Sequence, residues 1–187
     1  MIRTRLLYFV EGDLSATQFG FREHTSTSDP IHILRRTQEI SERVGRKLLI
    51  LFLSDWKMAF DRVAHSRLIK TLERFKVPKK IIEAMAVIYQ NPEFMVQGKY
   101  ENSDWKRQRS GTQQGCPLSP LLLIICMSAL AADLRTTLET KHQLRTHIPG
   151  LLDYLLQYAD DTAVLACLLY TSPSPRDLST SRMPSSA

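Results

Sequence analysis

Three aspartates stand where this chain could do chemistry. Asp55 follows the apolar run Leu48-Leu49-Ile50-Leu51-Phe52-Leu53, and Asp160 and Asp161 lie side by side between two further apolar stretches, Leu151 to Ala166. A carboxylate at the end of one strand, brought beside a pair on a neighbouring hairpin, can share hard divalent cations, because Mg²⁺ takes oxygen ligands and keeps positions open for substrate phosphates. Two such ions about 4 Å apart activate an attacking hydroxyl and stabilise the leaving oxygen of an in-line displacement. Without a cation, carboxylates at contact distance repel. Taken alone, an acidic pair at a turn is solvated surface. The elements that would gather these residues therefore decide the matter.

The run before Asp55 has strand length and no polar interruption, which predicts a strand buried on both faces. Leu151 to Ala166 predicts two strands joined by an acidic turn at Asp160-Asp161. Between them, His65 to Lys76 spaces Leu68, Ile69, Leu72 and Phe75 as one helix face. A second helix opening at Pro78 carries Ile81, Ile82, Met85, Ile88 and Tyr89. Glu93 to Ser110 reads as a hairpin with Phe94, Val96 and Trp105 as strand residues, turned at Gly98-Lys99 or Asn102-Ser103. Gly111 to Pro120 is a punctuated loop leading into an apolar helix from about Leu121. Upstream, Asp29 is placed to cap a helix with Pro30 in its first turn, Ile33, Leu34, Ile40 and Val44 as its stripe, and Gly45 at its end. Arg35 and Arg36 lie on its solvated side. The first 28 residues, with Gly12, Gly20 and Thr25-Ser26-Thr27-Ser28, read as loop-rich. This order of elements predicts an α+β fold, a small antiparallel sheet backed by helices.

Composition agrees with a globular chain. Of 187 residues, 43% are hydrophobic and 24% charged, which excludes collagen-like, mucin-like and wholly disordered classes. Lys and Arg number 25 against 19 Asp and Glu, a net charge of +6 that is compatible with a polyanionic partner. Cys116, Cys126 and Cys167 have no paired short spacing, so neither a disulfide framework nor a zinc site is expected, and a reducing compartment follows. The longest apolar run, Leu121 to Ala132, falls short of the ~20 residues of a membrane span and reads as a core helix. Glu11 and Asp13 stand where a secretory signal would have its small-residue cleavage site.

The motifs carry a family resemblance. Tyr158-Ala159-Asp160-Asp161 resembles the catalytic hairpin of reverse transcriptases of the non-LTR retrotransposon and group II intron type. The stretch Asp55-Trp56-Lys57-Met58-Ala59-Phe60-Asp61-Arg62-Val63 resembles their first palm motif. Ser110 to Pro120 (Ser-Gly-Thr-Gln-Gln-Gly-Cys-Pro-Leu-Ser-Pro) resembles the loop-to-helix motif between them, and Gln18-Phe19-Gly20-Phe21-Arg22 is similar to a fingers segment upstream. Four motifs in family order span Gln18 to Ala166.

The resemblance implies a polymerase palm with partial fingers and no thumb, with residues 1–46 as fingers and 47–166 as palm. It implies that Asp55 and Asp160 bind two Mg²⁺ ions, with Mn²⁺ as a substitute, that the Trp56 carbonyl contributes to one, and that Asp161 completes the acidic turn. Phe60 falls at the steric-gate position, where a ring under the sugar disfavours a 2′-hydroxyl. Gln114, Gly115 and Pro117 would lie by the incoming nucleotide, where Gly lets the backbone come close. Asp61 is expected to be structural, and the five histidines, His65 among them, have no ligand spacing. The implied partners are an RNA template, a DNA primer and a deoxynucleoside triphosphate, inside the cell (nucleus or cytoplasm) and without a membrane. No basic fingers strands are recognisable before Gln18, and nothing after Ala166 matches a primer grip or thumb, so the chain is expected to be a piece cut at both ends and inactive by itself. The competing expectations are a catalytically idle nucleic-acid-binding remnant and the palm of another template-directed polymerase.

The last segment differs in kind. Residues 167–187 (CLLYTSPSPRDLSTSRMPSSA) are rich in Ser and Pro and lack periodicity, as a disordered tail would. One codon choice for Cys167 to Asp177 reproduces a transposase adapter used in sequencing libraries, and Ser181 to Ala187 fits its downstream partner. The segment is expected to be foreign to the fold.

Overall fold

The computed structural model describes residues 2–43, 49–113, 115–142 and 155–167. The chain begins with a helix where a loop was expected: α1, Ile2–Val10, followed by a 3₁₀ turn at Glu11–Asp13. Ile2, Leu6 and Val10 recur at four-residue spacing, and Leu6 and Val10 are fully buried. A helix this short is marginal alone. Its stability comes from packing that stripe into the core, which is why local punctuation misled the sequence reading.

Helix α2 spans Ser28–Arg43. Its cap is not Asp29, as expected, but Ser26. The Ser26 hydroxyl accepts from the Ser28 amide at 3.3 Å, and the Asp29 carboxylate reaches back to accept from the Ser26 amide at 2.6 Å. Asp29 thus supplies the second half of a reciprocal capping box. Arg36 pairs with Glu39 at 2.8 Å on the exposed side, as expected. Val44 and Gly45, expected at the helix end, lie outside the described residues.

Strand β1, Leu49–Ser54, is followed by the single turn α3, Ala59–Arg62, then α4, His65–Arg74, and α5, Lys79–Gln90. Leu68 and Leu72 of α4 are fully buried against Met85 and Tyr89 of α5. Helix α4 ends two residues earlier than expected. Lys76 takes a left-handed conformation with φ 54°, while its amide donates to the Glu73 carbonyl and the Val77 amide donates to the Leu72 carbonyl. That pair of bonds is a Schellman cap built on Lys instead of Gly.

The expected hairpin is present as β2, Glu93–Phe94, paired with β3, Lys106–Arg107. Its far end turns at Gly98, whose amide donates to the Glu101 carbonyl at 3.1 Å, the first of the two expected turn sites. Val96 and Trp105 are exposed.

Helix α6, Ser119–His142, joins two cores. Leu121, Leu122, Ile124, Ile125 and Ala129 pack with α1, α4 and α5, whereas Ala131 packs with the sheet and with Phe19, Ile33 and Leu34. A helix hydrophobic all round is one buried from several sides. By length and composition Ser119–Leu138 is apolar enough to cross a membrane, and here half of that stretch is buried within the fold.

Strands β4, Leu155–Tyr158, and β5, Asp161–Cys167, form the expected hairpin and complete an antiparallel sheet of order β1-β5-β4. β1 was expected to be buried on both faces. Among the described residues it is instead the edge strand, bonded to β5 alone, with Phe52 and Leu53 62% and 67% exposed. The buried apolar sheet residues among those described, Leu155, Leu156, Ala163 and Leu165, come from β4 and β5. Cys167, the first residue of the segment expected to be foreign, still pairs with Leu49. The α+β class holds.

Candidate active site

Antiparallel register gathers the three aspartates. Ser54 pairs with Thr162 at the last rung between β1 and β5, so Asp55, the next residue, stands level with Asp161 at the start of β5. Tyr158 pairs with Asp161, leaving Ala159 and Asp160 as the two central residues of the hairpin turn. The turn is therefore one residue earlier than expected, and Asp161 belongs to the strand. Burial pushes the Asp161 carboxyl up from the ordinary carboxylate value, and the charges of Asp160 and then Asp55 push it further. All three carboxylates act within one electrostatic neighbourhood.

Ala159 has φ 56°, a left-handed conformation at the first central position, where a two-residue hairpin favours Gly. Lateral ties steady the surrounding strands. The Trp56 indole donates to the Thr162 hydroxyl at 3.2 Å, and that hydroxyl donates to the Asp160 carbonyl at 3.4 Å. Trp56, expected to offer its carbonyl to a metal, thus uses its ring to link the residue after Asp55 to the residue after Asp161. Thr162 was missed by the sequence reading, which had only one small polar residue in an apolar strand to go on.

Asp55, Asp161, Tyr158, Leu53 and Ile31 line an open cleft of about 420 Å³ between α2 and the sheet. A second cleft of about 380 Å³ gathers Phe60, Gly115 and Pro117, three of the four residues expected near a nucleotide, with Cys116, Ser119 and Pro120. The fourth, Gln114, lies outside the described residues. Gly115 has φ 80°, which only Gly adopts at little cost. The Phe60 ring meets Phe21 edge-on at 6.2 Å.

The loop carrying Gly115 is anchored to the segment after Asp55. The Gly111 amide donates to the Val63 carbonyl at 2.8 Å, the Thr112 amide donates to the Phe60 carbonyl at 2.8 Å, and the Ser110 hydroxyl donates to the Asp61 carbonyl at 2.9 Å. His65, assigned no role from spacing, holds the same loop: its Nε2 lies 2.8 Å from the Gly111 carbonyl oxygen while its ring packs on Tyr89.

Among the described residues, no group of three His, Cys, Asp or Glu side chains is gathered closely enough to hold a metal by itself. The donor set still fits Mg²⁺, which is held through one or two carboxylates together with waters and substrate phosphates. Burial leads the rise at Asp161, and the repulsion from Asp160 and Asp55 that adds to it is what a cation would relieve.

The family described as reverse transcriptase (RNA-dependent DNA polymerase) matches residues 1–172. The chain belongs to that family. The match extends past Cys167 into the segment expected to be foreign. Curated relatives of this reverse transcriptase chain include the Transposon TX1 uncharacterized 149 kDa protein of Xenopus laevis, 29% identical over 138 residues, 74% of this chain and 10% of that protein. A retrovirus-related Pol polyprotein from the type-1 retrotransposable element R2 of Nasonia vitripennis is 33% identical over 88 residues, 47% of this chain and 9% of that protein. A probable RNA-directed DNA polymerase from transposon BS of Drosophila melanogaster is 31% identical over 150 residues, 79% of this chain and 15% of that protein. The chain thus spans a small part of each relative's length.

Solved structures agree on the fold. Telomerase from Candida albicans, in complex with a fragment of telomeric RNA, superposes with a TM-score of 0.60 at 16% identity, over 88% of this chain and 29% of that one. Telomerase from Candida tropicalis, likewise with telomeric RNA, gives 0.59 at 17% identity, over 95% of this chain and 29% of that one.

Proposed function

We propose that the protein containing this chain copies RNA into DNA, adding deoxynucleotides to a primer 3′-hydroxyl with release of pyrophosphate. The observation that carries the reading is the convergence of Asp55, Asp160 and Asp161 at one end of the β1-β5-β4 sheet, in a chain of the reverse transcriptase family. Asp55 and Asp160 would hold two Mg²⁺ ions. When bound, these would supply charge stabilisation for a phosphoryl group under attack. The chain's own contribution is positioning. Sheet register sets Asp55 beside the hairpin, the Trp56–Thr162 tie fixes the two strands laterally, and the loop bonds from Gly111 and Thr112 hold the Gly115 cleft against Phe60. Phe60 would lie under the sugar of the incoming nucleotide and disfavour a 2′-hydroxyl. An RNA template with its DNA primer would be held chiefly through phosphates, which makes binding fall steeply with salt.

The test is primer extension on an RNA template by the longer protein that carries this chain, with Mg²⁺ and either deoxy- or ribonucleotides. Mg²⁺-dependent extension with deoxynucleotides, lost on Asp160→Asn, is expected. Preference for ribonucleotides would mean a polymerase of another kind, and nucleic-acid binding without Mg²⁺-dependent extension would mean an idle remnant.

A further inference from the structure

A fully buried glutamine far upstream grips the catalytic turn. Gln18 is 0% exposed, and its amide is spent on the backbone of Ala159 and Gly20. Its Oε1 accepts from the Ala159 amide at 2.8 Å and from the Gly20 amide at 2.8 Å, and its Nε2 donates to the Ala159 carbonyl at 3.0 Å. These bonds take both polar backbone groups of the one left-handed residue in the turn that carries Asp160.

The grip is built into the backbone on either side. The Phe19 amide donates to the Gln157 carbonyl and the Gln157 amide donates to the Thr17 carbonyl, both at 2.8 Å, so the segment adds to the outer edge of β4 as a short parallel bridge. Gly20 sits so close that a Cβ there would stand 2.1 Å from the Ala159 nitrogen and 2.7 Å from its Cα. The Thr25 hydroxyl donates to the Phe19 carbonyl at 2.6 Å, and Arg22, held by Glu11 at 2.6 Å, donates to the Ser15 carbonyl at 3.1 Å. One residue past Gly20, the Phe21 ring meets Phe60 of the nucleotide cleft. A single stretch therefore touches the acidic turn and that cleft.

We propose that Gln18 is a positioning residue: with Gly20 it braces the backbone of Ala159, holds this residue in its left-handed conformation, and so fixes where Asp160 presents its carboxylate relative to Asp55 and the Phe60 cleft. Ala159 needs such a brace because it lacks the freedom of Gly at φ 56°. The role of Asp160 rests on the polymerase reading above, while the brace itself is a statement about backbone hydrogen bonds.

Amide hydrogen exchange on the chain, with Mn²⁺ titration in parallel, tests it. In the native sequence the Ala159 amide, a hairpin-turn position with no cross-strand partner of its own, exchanges as slowly as the β4–β5 ladder amides. In Gln18→Met, which keeps the side-chain length and removes the hydrogen bonds, Ala159 and Gly20 exchange at least about tenfold faster while the ladder amides between β1 and β5 do not change. Mn²⁺ then binds several-fold more weakly. Fast exchange at Ala159 in the native sequence overturns the proposal without reference to any variant, so a Gln18→Met chain that fails to fold does not protect it. Unchanged Ala159 exchange in a folded Gln18→Met chain overturns the brace, and unchanged Mn²⁺ affinity alongside faster exchange overturns the positioning role. If the native chain binds no Mn²⁺, the metal reading fails, and the exchange rates still decide the brace.

Discussion

Replacing Asp161 with asparagine separates the cost of the acidic site from its use. Burial and the neighbouring charges of Asp160 and Asp55 raise the Asp161 carboxyl above its ordinary value of 3.8. The folded state therefore binds the proton more tightly than the unfolded chain does. The fold has its full stability below the unfolded value, where the carboxyl is protonated, and loses part of it as pH rises through the raised folded value and the side chain ionises. At pH 7.5 without divalent ions, Asp161→Asn removes this penalty. Asp161 is exposed, so water screens each repulsion, and the gain is on the order of 1 kcal/mol or less. That corresponds to a rise of about 2–4 °C in midpoint for a chain of this size. Well below the ordinary value of 3.8, where the carboxyl is protonated in the folded and unfolded chain alike, the two melting curves converge. Millimolar Mg²⁺ reverses the ranking, because a cation bound to the folded state stabilises it in proportion to its occupancy, and the variant offers one carboxylate fewer. Thermal unfolding at two pH values, each with and without Mg²⁺, gives the readout. A variant less stable than the native sequence at pH 7.5 without metal, or a difference that ignores pH, would refute the reasoning.

Two further substitutions probe the scaffold. Lys76→Gly relieves the left-handed residue of the α4 cap and is expected to raise stability by about 1 kcal/mol in urea melts, with the denaturant slope unchanged. Gly111→Ala places a Cβ 2.8 Å from the Asp61 Cα at φ 90°, so it is expected to cost about 2 kcal/mol or more and to loosen the loop that carries Gly115, seen as faster exchange of the Thr112 amide.

What was legible in the sequence divides by the range of the interaction. Helices α4 and α5 were readable because their apolar residues repeat at helical spacing and their cores are local neighbours. The β4–β5 hairpin was readable because two apolar strands flank a short acidic turn. Strand β1 was placed within a residue, but its exposure was not, since an apolar run states what a strand could bury and says nothing of which neighbours reach it. Helix α1 escaped because one buried stripe in nine residues is a weak periodic signal beside the glycines that follow. The cap of α2 was misplaced because Ser26 and Asp29 are both good caps three residues apart. That spacing is itself the signature of the reciprocal box the structure contains.

The candidate site shows the same division with a sharper lesson. Asp55, Asp160 and Asp161 are legible because each stands at the end of an apolar run within a motif that carries the family resemblance; an acidic pair alone reads as a solvated turn. The role of Gln18 is not legible in this way. A glutamine in a glycine-containing loop is ordinarily solvated, and only a partner 141 positions away makes it a brace. Glycine at position 20 reads from sequence as loop punctuation within the same Gln18 to Arg22 motif, whereas its reason is a backbone nitrogen that any side chain would strike. Both residues meet the backbone of the turn that carries Asp160. Substitutions at Gln18 and Gly20 should thus act through the same hairpin as substitutions at Ala159. A double variant such as Gln18→Met with Ala159→Gly should lose less than the two single effects added together, because glycine no longer needs the conformation held for it. Additive losses would mean that Gln18 supports the fold generally and not this turn in particular.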